Sequence, residues 1–153
     1  MTSTLLRPPT RELSLLQWTG QMKKVKFNEY SALRFASNAL GALRNAKTPA
    51  LSPHGRFSMA YEGTYALCLG SIYLHGLLPT GKTGHQEMVV QVACEMIGLA
   101  LKDRDTLMAV SRHYQAITSE GGEPLELQNV RDLVDLGYRA LSQAHYSYPD
   151  WFL

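Results

Sequence analysis

The chain has 153 residues, of which 45% are hydrophobic and 18% are charged, and its formal net charge is +2. This length predicts a single domain over residues 1–153, and the apolar content excludes a largely disordered chain. A charge so close to neutrality permits an acidic or nucleic-acid partner without requiring one.

The apolar runs of the sequence bear on where the protein is located and on the state of its two thiols. No run approaches the ~18 apolar residues of a membrane-spanning helix, and MTSTLLRPPTRE lacks the apolar core of a signal peptide. Cys68 and Cys94 lie in separate apolar runs without CxxC spacing, which predicts two buried thiols in a reducing compartment. We therefore expect a cytoplasmic protein without membrane contact.

The segment before Pro53 predicts a pair of helices. Residues 1–9 are expected to be flexible, Thr10 is suited to cap a short first helix, and Asn28 a longer one. The basic connector between them, residues 23–26, is typical of a solvated turn but also suits phosphate contacts. The prolines of residues 48–53 end the second helix.

The most apolar long run extends from Arg56 to Gly84 and predicts a central helix that stops at Gly76, followed by a polar, glycine-rich loop. Gly63 and Gly70 weaken this helix but would let another helix approach closely. The run therefore indicates the crowded centre of a bundle.

Three further helical patterns follow. One begins at His85 and ends at Gly98, the next opens at Asp103 or Asp105, and the last begins near Glu126 after a loop over 119–124. With no convincing strand, the pattern predicts an all-α antiparallel bundle of about five main helices, a four-helix core plus N-terminal helices. The tail YSYPDWFL breaks at Pro149 and is expected to dock on this bundle or on a second copy.

Residues 76–83, GLLPTGKT, match the phosphate-loop pattern GxxxxGK[ST] letter for letter. That loop needs a preceding strand in a parallel sheet, whereas the residues before it predict a helix, so we interpret the match as coincidence. The five histidines show no ligand spacing, and we expect neither a metal nor a cofactor.

Two clusters carry possible chemistry. Lys82 and His85 flank a predicted helix start, where backbone amides, a cation and an imidazole suit an anion. Arg112 can bind phosphate, His113 can transfer protons near neutral pH, and Tyr114 adjoins both. The alternative is that Tyr114 faces the core and the charged residues are merely solvated.

The order of parts from Arg56 to Leu141 resembles a HEPN domain. RFSMAYEGTYALCLGSIYLHGLLP is similar to the long second helix of that family, GKTGHQEMVVQVA to its Gly-His loop and next helix, and Arg112 stands at the family's arginine position. The resemblance implies a helical homodimer, acting in defence or toxin–antitoxin systems, that in many members cleaves RNA without a metal at a composite interfacial site.

That cleavage activity uses an arginine and, four to six residues later, a histidine. Here positions 117–119 are Ile, Thr and Ser, and His113 directly follows Arg112 at the family's polar position. The resemblance therefore implies a HEPN-like dimer that binds RNA, a nucleotide or an antitoxin-like partner, without full ribonuclease activity. The alternatives are a metal-independent ribonuclease with Arg112 and His113 as catalytic residues, or a structural and interaction module.

Overall fold

The computed structural model describes residues 5–82, 84–118 and 125–152 and shows a bundle of helices with one small ribbon. In chain order the elements are α1 (Arg11–Trp18), β1 (Met22–Lys24), α2 (Glu29–Ala46), α3 (Pro53–Tyr73), β2 (Leu77–Pro79), α4 (His85–Ile97), α5 (Leu101–Thr118), α6 (Leu127–Ser147) and a 3₁₀ turn (Pro149–Trp151). The predicted all-α bundle is confirmed. No helix within the described residues is both long and apolar enough to cross a membrane.

Side-chain caps fix the starts of the first three helices. Thr10 accepts a hydrogen bond from the Leu13 amide (3.2 Å), and Asn28 accepts one from the Ser31 amide (3.1 Å), as predicted. Ser52 caps α3, so Pro53, whose fixed φ suits a first helical turn, begins this helix three residues before Arg56.

Helix α3 occupies the centre of the bundle and packs most extensively against α2 and α6. A Cβ added at Gly63 would lie 3.0 Å from the Ala39 carbonyl oxygen, and one at Gly70 would lie 2.7 Å from Phe35 Cβ. Both neighbours belong to α2. The prediction that glycines allow close helix approach is confirmed, since any larger residue would push α2 away.

The prediction that the chain lacks strands is wrong at one place. β1 pairs antiparallel with β2 in the register Met22↔Pro79, Lys23↔Leu78 and Lys24↔Leu77. Part of the basic connector is thus extended rather than a turn. Three-residue strands are too short to show alternation, and the pairing depends on a partner more than fifty residues away.

The boundaries of the later helices agree with the sequence except at α5. Gly98 ends α4 with φ +79°, and α6 begins directly after Glu126. Helix α5 starts at Leu101, earlier than either predicted aspartate. The Asp103 carboxylate instead accepts two hydrogen bonds from Arg139, each 2.8 Å long. The predicted loop over 119–124 and Thr83 lie outside the described residues.

Both chain ends pack on the bundle. In the N-terminal segment that was expected to be flexible, Leu5 is buried and the Arg7 amide donates to the Leu74 carbonyl (2.7 Å); residues 1–4 are not described. The tail breaks at Pro149 as predicted, and Trp151 is 1% exposed, with its Nε1 donating to the Ala32 carbonyl (2.6 Å). Docking of the tail on its own bundle is therefore confirmed.

The two cysteines lie inside this core as free thiols, as predicted. Cys68 belongs to α3 and Cys94 to α4. The hydrogen bond between the two thiols, together with burial, raises the pKa of Cys68 well above its usual value. A thiol held neutral and out of contact with water is a poor nucleophile.

Candidate functional site

Two segments distant in the sequence form the walls of one groove with a volume of about 760 Å³. One wall comes from the loop after β2 and the first turn of α4, and the other from the middle of α5. All five predicted site residues line it, together with residues that the sequence did not single out. The lining consists of Gly81, Lys82, Gly84, His85, Gln86, Glu87, Ser111, Arg112, His113 and Tyr114.

His85 begins α4 and is half-buried at the groove wall. The Lys82 carbonyl lies 3.0 Å from the His85 amide nitrogen and 3.1 Å from its ring Nδ1. Because a carbonyl oxygen only accepts hydrogen bonds, Nδ1 carries the proton in the neutral ring and Nε2 has the free lone pair. The turn that fixes this ring uses Gly84 at φ +79°, a conformation that favours glycine.

The start of α4 adds backbone donors to this wall. Among the described residues no side chain caps the helix. The amides of a first helical turn point outward along the axis and carry partial positive charge. The groove thus combines helix-terminal amides with the charged side chains of Lys82 and Arg112.

Arg112 is engaged by a carboxylate within the groove. Its Nε and Nη2 donate to the two oxygens of Glu87 at 3.2 and 3.1 Å, and the Arg112 side chain is 53% exposed. The hydrogen bonds that Arg112 donates to Glu87 raise the pKa of Arg112, which therefore stays charged. These bonds use two of the five N–H donors of the guanidinium, so a bound anion has to share Arg112 with Glu87 or displace the carboxylate.

Sequence reasoning missed Glu87. Its position in the first turn of α4 suits the helix dipole, which explains an acidic residue there without any site. Its pairing with Arg112 spans 25 residues and depends on how α4 and α5 pack. No local pattern in the sequence could have shown it.

An aromatic stack closes the groove on the core side. Tyr114 is half-buried, and its ring lies 4.3 Å from that of Tyr61, with the planes inclined by 24°. The Tyr61 hydroxyl donates to Ser111 Oγ at 2.9 Å, and burial raises the pKa of both tyrosines. Tyr114 therefore lies at the boundary between the core and the groove.

His113 and Lys82 complete the set of predicted residues. His113 is exposed and shares the groove with Arg112 although adjacent helical positions differ by about 100°. Lys82 is exposed, and its Nζ would lie 3.2 Å from a Cβ added at Gly20, so the ammonium extends towards the start of β1. The groove is therefore bounded by the ribbon at this end.

The phosphate-loop string does not form a phosphate loop in the part of the chain that the structure describes. Its first glycine, Gly76, lies before β2 rather than after it, and β2 pairs with β1 in an antiparallel ribbon instead of a parallel sheet. Within the same residues, no group of three or more His, Cys, Asp or Glu side chains is arranged to hold a metal ion.

Comparison with known proteins adds no assignment. No family model, curated protein or solved structure matches the chain. The HEPN resemblance consequently stays a prediction.

Proposed function

We propose that the groove between α4 and α5 binds the phosphate groups of RNA or of a nucleotide. The supporting observation is that two cations, Lys82 and Arg112, and two imidazoles, His85 and His113, line one groove although they come from separate segments. Guanidinium, ammonium, imidazolium and helix-terminal amides are all donors to phosphate oxygens. Tyr114 adds an aromatic face beside them, on which a base can stack.

The pairing of Glu87 with Arg112 leads to a specific prediction. The Glu87 carboxylate accepts hydrogen bonds from Nε and Nη2 of Arg112. A bound phosphate has to displace Glu87 or share the guanidinium with it, since both are acceptors for the same donors. Removal of the carboxylate charge should therefore strengthen binding of an anion.

The HEPN resemblance extends the proposal to a homodimer with Arg112 and His113 close to its axis. Light scattering at micromolar concentration measures this directly. A monomer that still binds RNA would remove the composite site but leave the groove proposal intact. An interaction role through the tail is less well supported, because Trp151 is buried on the protein's own bundle.

A second candidate function, metal-independent RNA cleavage, is favoured by the presence of His85 in the same groove as His113. The family's distal histidine is absent from this sequence, but α4 supplies an imidazole from another direction. His85 Nε2 would accept the proton of a ribose 2′-hydroxyl, whose oxygen attacks the phosphorus. Protonated His113 would give its proton to the leaving 5′-oxygen, and Arg112 would stabilise the added negative charge.

Binding is tested by fluorescence anisotropy with short labelled RNA. The double variant Lys82→Ala/Arg112→Ala should bind more weakly. The slope of log K against log salt concentration should become shallower by about 1.4, because each lost phosphate contact contributes ~0.7. Glu87→Gln should bind several-fold more tightly. Cleavage is tested on the same RNA in the presence of a metal chelator, where His85→Ala and His113→Ala should each abolish the activity.

Arg139→Ala is the matched control for Arg112. Arg139 is also 53% exposed and also makes two hydrogen bonds to one carboxylate, that of Asp103, but it lies outside the groove. Its loss should leave RNA affinity within twofold. The proposed function would be refuted if Arg139→Ala weakened RNA binding as much as Lys82→Ala/Arg112→Ala does, or if the unaltered protein did not bind RNA.

A further inference from the structure

A second groove, of about 630 Å³, lies where the N-terminal segment crosses the end of the ribbon. Its charged side chains are Arg7, Lys24 and Lys26, and none of the described residues that line it carries a carboxylate. The lining comprises Leu6, Arg7, Pro8, Pro9, Gln17, Lys24, Val25, Lys26, Phe27, His75, Gly76 and Leu77. This groove therefore has positive charge that no described residue of its lining neutralises.

Its walls are fixed by backbone hydrogen bonds. The Arg7 amide donates to the Leu74 carbonyl at 2.7 Å, and the Val25 amide donates to the Gly76 carbonyl at 3.0 Å. Between them His75 Nδ1 donates to the Pro8 carbonyl at 2.6 Å. The cations are therefore presented from a preformed surface, which lowers the entropic cost of binding.

These three cations differ from Arg112 in their partners. None of the ion pairs found between described residues includes Arg7, Lys24 or Lys26. Lys24 and Lys26 are exposed, whereas Arg7 is half-buried, 6.0 Å from the ring centroid of Tyr148. Because no ion pair between described residues has to be broken, an anion gains the full attraction of the two lysines.

The two grooves lie at opposite ends of the same ribbon. At the start of β1, Gln21 shares a small cavity with Lys82 and His85 of the candidate site. At its end, Lys24 lines the second groove. β1 has three residues, which extend over about 10 Å. Cations of the two grooves thus lie towards both ends of the ribbon, with Lys82 at the start of β1 and Lys24 at its end.

Each groove also places an aromatic ring beside its cations. In the candidate site this is Tyr114, and in the second groove it is the half-buried Phe27, which stacks on Tyr73 with 5.3 Å between centroids. Cations that follow a phosphate backbone, with aromatic faces for the bases, are typical of surfaces that bind single-stranded nucleic acid. An acidic peptide has no bases to stack on these rings.

We propose that the second groove extends the candidate site, so that one single strand of nucleic acid runs from the Arg112 groove along the ribbon to Arg7, Lys24 and Lys26. This inference rests on the proposed function and specifies its ligand, a strand of about six nucleotides or more rather than a mononucleotide. The second groove adds affinity and salt dependence without touching the residues that hold the first phosphate.

The experiment measures anisotropy with labelled RNA from dinucleotide to decanucleotide length. The unaltered protein should gain affinity with length until both grooves are occupied. Lys24→Ala/Lys26→Ala should weaken decanucleotide binding by about tenfold at low salt and lower the slope of log K against log salt concentration by about 1.4, and it should weaken dinucleotide binding much less. Lys102→Ala/Arg131→Ala removes equal charge outside both grooves and should change neither.

The outcomes separate the two proposals. If Lys82→Ala/Arg112→Ala weakens all lengths but Lys24→Ala/Lys26→Ala has no effect on the decanucleotide, the extended strand is refuted and the proposed function stands. If neither RNA length binds, both fail. Decanucleotide binding that needs Lys24 and Lys26 but not Arg112 would refute a shared strand. Polyglutamate that competes as well as RNA of equal charge would refute nucleic acid as the ligand.

Discussion

Replacement of Trp151 by alanine tests how the tail holds the bundle together. The indole is 1% exposed, and its Nε1 donates to the Ala32 carbonyl of α2 at 2.6 Å. Removal of a buried tryptophan side chain costs about 3–5 kcal/mol, through lost burial and the cavity left behind. For a chain of this size that corresponds to a fall in Tm of about 10 °C.

The assay is urea unfolding followed by far-UV circular dichroism, which does not depend on the deleted fluorophore. Trp151→Phe keeps most of the ring but removes the donor, so it should cost less, about 1–3 kcal/mol. Tyr146→Ala, in the same segment but 84% exposed, is the control and should change stability by less than ~0.5 kcal/mol.

A substitution in α3 tests the packing of Trp151 independently. A Cβ added at Gly70 would overlap Cζ2 of Trp151 and lie 2.7 Å from Phe35 Cβ. Gly70→Ala should therefore destabilise the protein although alanine is the better helix former. Equal stability of Trp151→Ala and Tyr146→Ala would refute docking of the tail on its own bundle.

Two further predictions concern buried groups. Burial lowers the pKa of His75, whose Nε2 accepts from the Tyr148 hydroxyl at 2.9 Å, so the unfolded chain binds the proton more readily. Stability should fall as the pH drops through the ordinary histidine value of 6.5 and level off below the folded pKa; a pH slope of the urea midpoint that survives His75→Gln would contradict this. Cys68 and Cys94, buried and free, should react with a thiol reagent only after unfolding, and labelling of the native protein would contradict their burial.

Much of the candidate site could be predicted because its members have chemistry that stands out locally. Lys82 and His85 flank a helix start, and Arg112 and His113 are adjacent. The sequence suggested two separate clusters, and the packing of α4 against α5 brings them into one groove. Glu87 was not predicted as a site residue because an acidic residue is common in the first turn of a helix.

The second groove could not be predicted from the sequence, for a different reason. Residues 23–26 were interpreted as a connector whose charges suit either water or phosphate, and nothing local distinguishes the two. Only the pairing of β1 with β2 and the hydrogen bond from the Arg7 amide to Leu74 place these lysines opposite Arg7. Such contacts between distant segments depend on the assembled core.

By itself the sequence determined the helical class, the caps at Thr10 and Asn28, and the glycines that let α2 approach α3. These features follow from local propensity and from a 3.6-residue apolar period, which neighbouring residues carry. Tertiary structure alone decided the ribbon, the burial of Trp151 and the convergence of cations on two grooves. Each of these depends on which surfaces meet when the helices pack, and that information is spread over the whole chain.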